Sequence, residues 1–190
     1  MTLPEHAFVF LRHGQTEYNR LRRLQGHIDV PLNDTGLAQA AAAADLLAGR
    51  RISRVVASPA QRVQQTIEPF LRAGEIPVHV DDDLMEYFVG SFEGRLAEDI
   101  RSEHGLDEEA SLWDVLPDDA EHWPDFVARV VAAVTRWTQQ HAGETILIAS
   151  HGLVFRALAE TLTGEEIYSD NAKPHHFQPV GNRWVVSSLS

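Results

Sequence analysis

Short apolar runs, separated by polar and glycine-containing segments, recur along this chain. They cover Ala7 to Leu11, Arg54 to Ala57, Ile76 to Val80 and Ile146 to Ala149, and each is bounded by turn-forming or polar residues. Runs of this length, rich in β-branched and aromatic residues, are typical of buried strands. We therefore predict a β-strand at each of the four.

Segments with helix-forming composition or helical spacing lie between these runs. Asn33 to about Leu47 is an alanine-rich stretch that starts with a good N-cap residue. Ser58-Pro59 places a cap and a first-turn proline before a second segment that reaches about Ala73. Two further helices are predicted over Glu121 to Gln140 and over Gly152 to Thr161.

The remaining segments are predicted to be less regular. Residues 12–32 are expected to form a long polar loop, and residues 94–118 short helices and loops. Gly181-Asn182 lies between Phe177 and Val186 and predicts a β-hairpin. Strands that alternate with helices predict an α/β fold, a three-layer α/β/α sandwich with a mostly parallel central sheet. We expect residues 1–190 to form one domain.

Composition is consistent with this interpretation. The chain has 190 residues, of which 44% are hydrophobic and 23% charged, as in ordinary globular proteins. There is no apolar stretch of membrane-spanning length, and Met1 to His6 lacks the features of a signal peptide. The absence of cysteine excludes disulfides and thiolate metal sites and fits a reducing compartment. We expect a cytoplasmic protein.

The charge distribution narrows the choice of partners. A formal net charge of −12 argues against nucleic acid and anionic membranes as partners. Arginines are frequent in residues 1–80, and Lys173 is the only lysine. Residues 81–125 are acidic, with carboxylates at Asp81-Asp82-Asp83, Glu98-Asp99, Asp107-Glu108-Glu109 and Asp118-Asp119. We expect a small-molecule partner, and the sequence does not indicate the oligomeric state.

Two His-Gly pairs follow predicted strands. Arg12-His13-Gly14 comes directly after the first strand, and Ser150-His151-Gly152 after the Ile146 strand. Ligands of open α/β sheets bind just beyond the carboxyl ends of strands. Two histidines and an arginine delivered to that edge predict a site for an anion such as phosphate.

Five motifs, in this order, resemble those of the histidine phosphatase superfamily, also called the phosphoglycerate mutase-like family. They are Arg12-His13-Gly14 with Thr16 and Asn19; Gly26 to Leu32 with Gly36 and Gln39-Ala40; Ser58, Arg62 and Thr66; Glu86, Gly90 and Glu93-Gly94; and Ser150-His151-Gly152. The resemblance spans nearly the whole chain. It implies a phosphoglycerate mutase-like fold with a small cap or lid region around residues 94–125.

The resemblance also implies residue roles that fit phosphoryl-transfer chemistry. His13 would be the nucleophile, and Glu86 the acid for the leaving oxygen and then the base for water. Arg12 and Arg62 would each offer paired donors to phosphate and would favour neutral histidines. His151, at a helix start, would bind phosphate. Asn19, Gln25, Gly26 and Gly152 would complete the phosphate-binding set.

The implied activity is that of a histidine acid phosphatase-type phosphomonoesterase acting on a small phosphorylated metabolite. Phe92-Glu93-Gly94 resembles the phosphatase branches of the family, and the chain is short for a mutase. A mutase-type phosphotransferase and a non-catalytic phosphate-binding regulatory module are the alternatives. Because Arg12 and Arg62 supply positive charge, we expect no cofactor and no metal.

Selectivity is predicted from the acid-rich segment, which also contains a departure from the family pattern. Ala120-Glu121-His122 stands where the family often has Gly-Glu-Ser, with Asp125 and Arg129 following at the expected spacing. We expect the acidic stretch from Glu98 to Asp125 to form the rim and to disfavour acidic leaving groups. Aromatic residues would supply an apolar wall, and basic residues facing the pocket would reverse the preference. The aromatic candidates are Tyr87, Phe88, Trp113 and Trp123, and the basic ones Arg20, Arg22, Arg23 and Lys173. Whether His175 or His176 lines the pocket is left open.

Overall fold

A six-stranded sheet forms the centre of the computed structural model, which describes residues 2–107 and 110–190. Its strands are β1 Phe8–Arg12, β2 Arg54–Ala57, β3 Val78–Val80, β4 Ile146–Ser150, β5 Pro174–Val180 and β6 Arg183–Ser188. The strand order is β3-β2-β4-β1-β5-β6, and the first four are parallel. β5 runs antiparallel to β1 and pairs with β6 as the predicted hairpin. The mostly parallel sheet is confirmed.

Helices cover both faces of this sheet. They are α1 Glu17–Arg20, α2 Asp34–Leu47, α3 Gln61–Leu71, α4 Ala97–His104, α5 Trp123–Gln140 and α6 Gly152–Thr163, with 3-10 turns at Asp82–Leu84, Gly90–Phe92 and Leu112–Val115. Phe10 and Ile148 pack with α5 and α6, whereas Leu11 and Leu147 pack with α2 and α3. Since side chains alternate along a strand, β1, β2 and β4 each contribute to both cores, and the three-layer arrangement is confirmed. No helix of the described residues is long and apolar enough to cross a membrane.

Helix α1 was not predicted, and helices α3 and α5 begin two or three residues later than predicted. Helix α1 lies inside the predicted loop 12–32, where Thr16 and Asn19 form a reciprocal capping box that fixes a single turn. Four residues carry no apolar periodicity, so the pattern could not reveal it. Helix α3 begins at Gln61 rather than at Ser58-Pro59, with Ala60 at the N-cap and no side-chain capping bond. The Ser58 hydroxyl, predicted to cap the helix, lies 2.7 Å from Nε2 of His151. By contrast, Asn33 caps α2 as predicted, accepting from the Gly36 N–H at 2.9 Å.

The sheet brings the two His-Gly pairs side by side. Strand β4 lies between β2 and β1, with Arg12 paired to Ser150, and the His13 N–H donates to the Ser150 carbonyl at 2.9 Å. A glycine contact holds the next turn against α2: a Cβ at Gly14 would lie 2.6 Å from the Gly36 carbonyl oxygen. Only glycine allows this approach of two backbones.

Candidate active site

A cavity of about 270 Å³ lies next to the carboxyl ends of β1 and β4. It is lined by Arg12, His13, Asn19, Arg23, Leu24, Gln25, Gly26, Arg62, Glu86, Tyr87, Val89, Leu112, Trp113, Leu116 and Leu153. Seven of the nine predicted site residues are among these. The other two adjoin them: the His151 ring lies 5.4 Å from the His13 ring, and Gly152 gives room to the Arg12 guanidinium. The structure therefore brings the whole predicted set together.

His13 is almost fully buried and has a fixed tautomer. Its Nδ1 lies 2.7 Å from the Gly14 carbonyl oxygen. A carbonyl can only accept, so Nδ1 carries the proton and Nε2 keeps a lone pair when the ring is neutral. Burial, followed by the charges of Arg62 and Arg12, holds the pKa of His13 well below its ordinary value. The ring is therefore neutral near pH 7.

His151 is fully buried beside it, at the N-cap of α6. Its Nε2 contacts the Ser58 hydroxyl at 2.7 Å, while its buried Nδ1 has no partner among the described residues. Burial and the charge of Arg62 hold the pKa of His151 well below its ordinary value. If Ser58 donates to Nε2, the neutral ring presents an Nδ1–H donor without a partner. A bound anion oxygen would satisfy such a donor.

The two arginines are anchored differently. Nη1 of Arg12 donates to the Ser169 carbonyl at 2.5 Å, while its Nε and Nη2 have no partner among the described residues. Arg12 therefore keeps one planar pair of donors free for an anion. Its pKa is lowered by burial, an effect opposed by the charges of Glu86 and Asp170, and the guanidinium stays protonated.

Arg62 is fully buried, and most of its donors are occupied. Its Nη1 and Nη2 donate to the carbonyls of Ile28 at 3.0 Å and of Gly26 at 2.8 Å. The Gln25 amide, with its oxygen turned to Arg62, accepts from Nε at 2.5 Å and from Nη1 at 3.0 Å. Of five N–H donors, one on Nη2 is left. Arg12 therefore keeps the expected pair of N–H donors for an anion, whereas Arg62 keeps a single N–H donor.

Asn19 and Glu86 complete the polar part of the cavity. Asn19 Oδ1 accepts from the Thr16 N–H at 3.1 Å, and its Nδ2 has no partner in the described chain. Glu86 Oε1 and Oε2 accept from the backbone N–H groups of Tyr87 at 3.0 Å and Leu153 at 3.3 Å. Burial raises the pKa of Glu86 above its ordinary value, although these bonds and the two arginines oppose it. The cavity therefore holds a carboxyl group that gains a proton more readily than a free one.

Apart from Arg23, the rest of the cavity lining is apolar. We call the seven residues that form it the apolar wall: Leu24, Tyr87, Val89, Leu112, Trp113, Leu116 and Leu153. Tyr87 and Trp113 are thus placed as predicted. Phe88 packs instead on His27, and Trp123 faces a second cavity on the other side of Tyr87 and Trp113.

The expected acidic rim is wrong for the part of the chain that the structure describes. Residues Glu98 to Asp125 contribute Leu112, Trp113 and Leu116 to the cavity, and none of their described carboxylates. Glu108 and Glu109 lie outside the described residues. The 3-10 turn at Leu112–Val115 directs its apolar side chains inward, a detail that net charge does not reveal.

Arg23 is the one basic candidate that lines the cavity. Its Nη1 donates to the Gly94 carbonyl at 2.7 Å. Arg20 instead pairs with Glu17, and Arg22 faces another surface groove. Lys173, His175 and His176 are not among the lining residues, and His175 is buried against Phe155.

Side-chain and backbone contacts from residues 169–172 support the site and were not predicted. The Asn171 side chain and the Ala172 N–H both donate to the His13 carbonyl, at 2.9 and 3.2 Å. Ser169 accepts from Arg12, as described above. The only sequence signal here is a polar cluster before a strand, which does not specify a partner. Within residues 2–107 and 110–190, no group of three or more His, Cys, Asp or Glu side chains is placed to hold a metal ion.

Comparison with known proteins defines the class to which this fold and site belong. The sequence pattern of the histidine phosphatase superfamily, branch 1, matches residues 8–188. The chain therefore belongs to the histidine phosphatase superfamily, as its five motifs indicated.

Individual relatives include both phosphatases and mutase-like proteins. The chain is 35% identical to phosphoglycerate mutase-like protein 4 of Arabidopsis thaliana, over 80% of this chain and 69% of that protein. It is 32% identical to glucosyl-3-phosphoglycerate phosphatase of Mycolicibacterium vanbaalenii, over 82% and 73%. The crystal structure of the alpha-ribazole phosphatase from Shigella flexneri superposes with a TM-score of 0.82 at 26% identity, covering 96% of this chain and 95% of that one.

Proposed function

We propose that this protein is a phosphomonoesterase that hydrolyses a small phosphorylated metabolite through a phosphohistidine at His13. The observation that carries the proposal is the tautomer of His13. Its Nδ1–H is held by the Gly14 carbonyl, so Nε2 is left with a lone pair in a ring that lines a cavity with Arg12, Arg62 and Glu86. A neutral, oriented imidazole beside cationic donors suits attack on phosphorus.

The reaction takes two steps. In the first, Nε2 of His13 attacks phosphorus, the bond to the ester oxygen breaks, and protonated Glu86 gives its proton to that oxygen. Arg12 holds two phosphoryl oxygens, while single donors from Arg62, Asn19 and His151 hold the group in line. In the second, a water gives its proton to the Glu86 carboxylate as it attacks phosphorus. The P–N bond breaks, inorganic phosphate leaves, and Glu86 is protonated again.

The apolar wall favours a leaving group with apolar or aromatic surface. Once the phosphoryl group is held by the polar residues, the ester's other half lies against side chains such as Leu112, Trp113 and Leu153. Burying apolar surface there stabilises the complex by about 25 cal/mol per Å². Discrimination against acidic leaving groups no longer follows, because none of the described acidic residues between Glu98 and Asp125 lines the cavity, whereas Arg23 does.

The phosphohistidine is tested by trapping it. Native enzyme and Glu86→Gln are mixed with ³²P-labelled 4-nitrophenyl phosphate and quenched within milliseconds in alkaline detergent. Because 4-nitrophenolate leaves without a proton, Glu86→Gln still forms the intermediate but hydrolyses it slowly, and protein-bound label accumulates. The label is expected to be base-stable and acid-labile, and to be absent from His13→Ala. Label on another residue, or near-native turnover by His13→Ala, contradicts the proposal.

The same material separates hydrolysis from phosphoryl transfer between hydroxyls. A phosphatase releases inorganic phosphate from a panel of monoesters, whereas a mutase interconverts 2- and 3-phosphoglycerate without net release. We expect release. Interconversion faster than release would assign the mutase activity instead, with the phosphohistidine retained.

A further inference from the structure

Arg129 on helix α5 binds the segment that carries Glu86. Its Nη1 donates to the carbonyl oxygens of Asp83 at 2.8 Å and of Met85 at 2.9 Å, and its Nη2 donates to that of Glu86 at 3.1 Å. Residues 85–89 lie between two 3-10 turns and have no regular structure of their own. The guanidinium thus supplies bonds that a helix or strand would otherwise provide.

Glu121 holds the other side of the same segment. Its carboxylate accepts from Arg129 Nε at 2.7 Å and Nη2 at 2.9 Å, and from the Phe88 N–H at 3.3 Å. Its backbone N–H donates to the Phe88 carbonyl at 2.9 Å, and its carbonyl accepts from the Tyr87 hydroxyl. We call this pair the Arg129–Glu121 clamp. It bonds the chain immediately before and immediately after the Glu86 side chain.

Every N–H donor of Arg129 in the clamp is hydrogen-bonded, and the clamp residues lie outside the substrate cavity. All five N–H donors of Arg129 have acceptors, and its side chain is 21% exposed, that of Glu121 18%. Neither residue lines the cavity. Any effect of the clamp on the reaction therefore acts through the segment that it holds, whose Glu86 and Tyr87 side chains line the cavity.

We propose that the Arg129–Glu121 clamp is a positioning device that places the Glu86 carboxyl group for proton transfer to the leaving oxygen. The proposal rests on the proposed function, in which Glu86 is the acid. A general acid must reach its target within hydrogen-bond distance, and a displacement of about 1 Å can lower the rate about 100-fold. Without the clamp, the Glu86 carboxyl group keeps the bonds from the Tyr87 and Leu153 N–H groups, and its carbonyl oxygen keeps the contact with His27 Nε2 at 2.8 Å. Tyr87 is itself bonded to the clamp through its hydroxyl.

The test compares leaving groups. 4-Nitrophenyl phosphate needs no proton on its leaving oxygen, whereas an alkyl ester such as 2-phenylethyl phosphate does. In Arg129→Met, we expect kcat/KM to fall about 10- to 100-fold for the alkyl ester and at most about threefold for the nitrophenyl ester. The quantity kcat/KM is used because it reports on phosphoryl transfer to His13 and not on later hydrolysis.

Two further variants control for folding and for the loss of charge on α5. Arg136→Met is the matched control, because Arg136 lies two turns along α5 and pairs with Asp81 and Asp83 without bonding residues 85–88. It should leave both substrates within about twofold of native. Glu121→Gln keeps the shape of the clamp without its charge, and should show a smaller effect in the same direction. If Arg129→Met does not fold, as judged by circular dichroism, Glu121→Gln tests the positioning role of the clamp in its place.

Glu86→Gln separates this proposal from the one on which it rests. If Glu86→Gln slows both substrates equally, the acid role of Glu86 is wrong. If Glu86→Gln discriminates between the substrates but the clamp variants lower both equally, or neither, then the clamp is merely structural and the positioning proposal is overturned. In the double variant Glu86→Gln/Arg129→Met, kcat/KM for the alkyl ester relative to the nitrophenyl ester should fall no further than in Glu86→Gln alone.

Discussion

The two buried histidines should make the stability of this protein sensitive to mild acid. The folded protein holds the pKa of both His13 and His151 well below the ordinary value of 6.5, chiefly by burial. As pH falls, these two histidines therefore become protonated in the unfolded chain while they stay neutral in the folded chain. The stabilisation is present above pH 6.5 and is lost as pH falls below it.

The size of the loss follows from the ordinary titration of an unfolded histidine. For a group of pKa 6.5, the factor 1 + 10^(pKa − pH) grows about tenfold between pH 7.5 and pH 5.5. Proton uptake by one such histidine therefore stabilises the unfolded state by about 1.4 kcal/mol over this interval. His13 and His151 together should therefore lower the free energy of unfolding by up to about 2.8 kcal/mol over this interval. That is a large share of the 5–15 kcal/mol typical of globular domains.

Urea unfolding at the two pH values measures this quantity. The comparison is between the native protein and the double variant His13→Gln/His151→Gln, which should lose about 2.8 kcal/mol less on acidification. His175 and His176 also have lowered pKa values, but they are unchanged in both proteins and cancel. His6→Gln, at an exposed position outside the site, is the matched control and should keep the native loss. A double variant as acid-sensitive as the native protein would refute the reasoning.

Two further predictions concern metals and the leaving group. Activity after exhaustive chelation should equal that of untreated enzyme, since Arg12 and Arg62 supply the positive charge; a loss reversed specifically by Mg²⁺, Mn²⁺ or Zn²⁺ would contradict this. Trp113→Ala should raise KM for 4-nitrophenyl phosphate about fivefold or more, because it removes part of the apolar wall, and should change KM for glycerol 2-phosphate less than twofold; equal effects on both esters would show that Trp113 does not contact the leaving group.

The elements and the polar part of the site could be predicted because both depend on local patterns. A strand such as Arg54–Ala57 can be predicted from its composition. A histidine that directly follows a strand lies at the ligand-binding edge of the sheet because of the topology. The donor count of Arg62 could not be predicted. It depends on carbonyls at Gly26 and Ile28 whose directions are set by a loop without periodicity.

Contacts between residues far apart in the sequence could not be predicted either. Spacing drew attention to Glu121 and Arg129, but the acceptors of Arg129 are backbone carbonyls more than forty residues away, and carbonyls have no signature in a sequence. The acidic rim failed for a related reason. Composition gives the charge of a segment, whereas the direction of each side chain is decided by a short 3-10 turn that places Leu112 and Trp113 toward the cavity.

The position of β4 in the sheet has a consequence for the order of folding. Strands β1 and β2 are made early in synthesis, yet the strand that joins them consists of residues 146–150. Until β4 emerges from the ribosome, β1 and the inner edge of β2 have no neighbour on that side, and their apolar residues stay open to other chains. Sheet closure then depends on contacts between residues far apart in sequence, which makes folding slow. We therefore expect the nascent chain to need protection until β4 has been made, and no fragment ending before β4 to acquire an anion site.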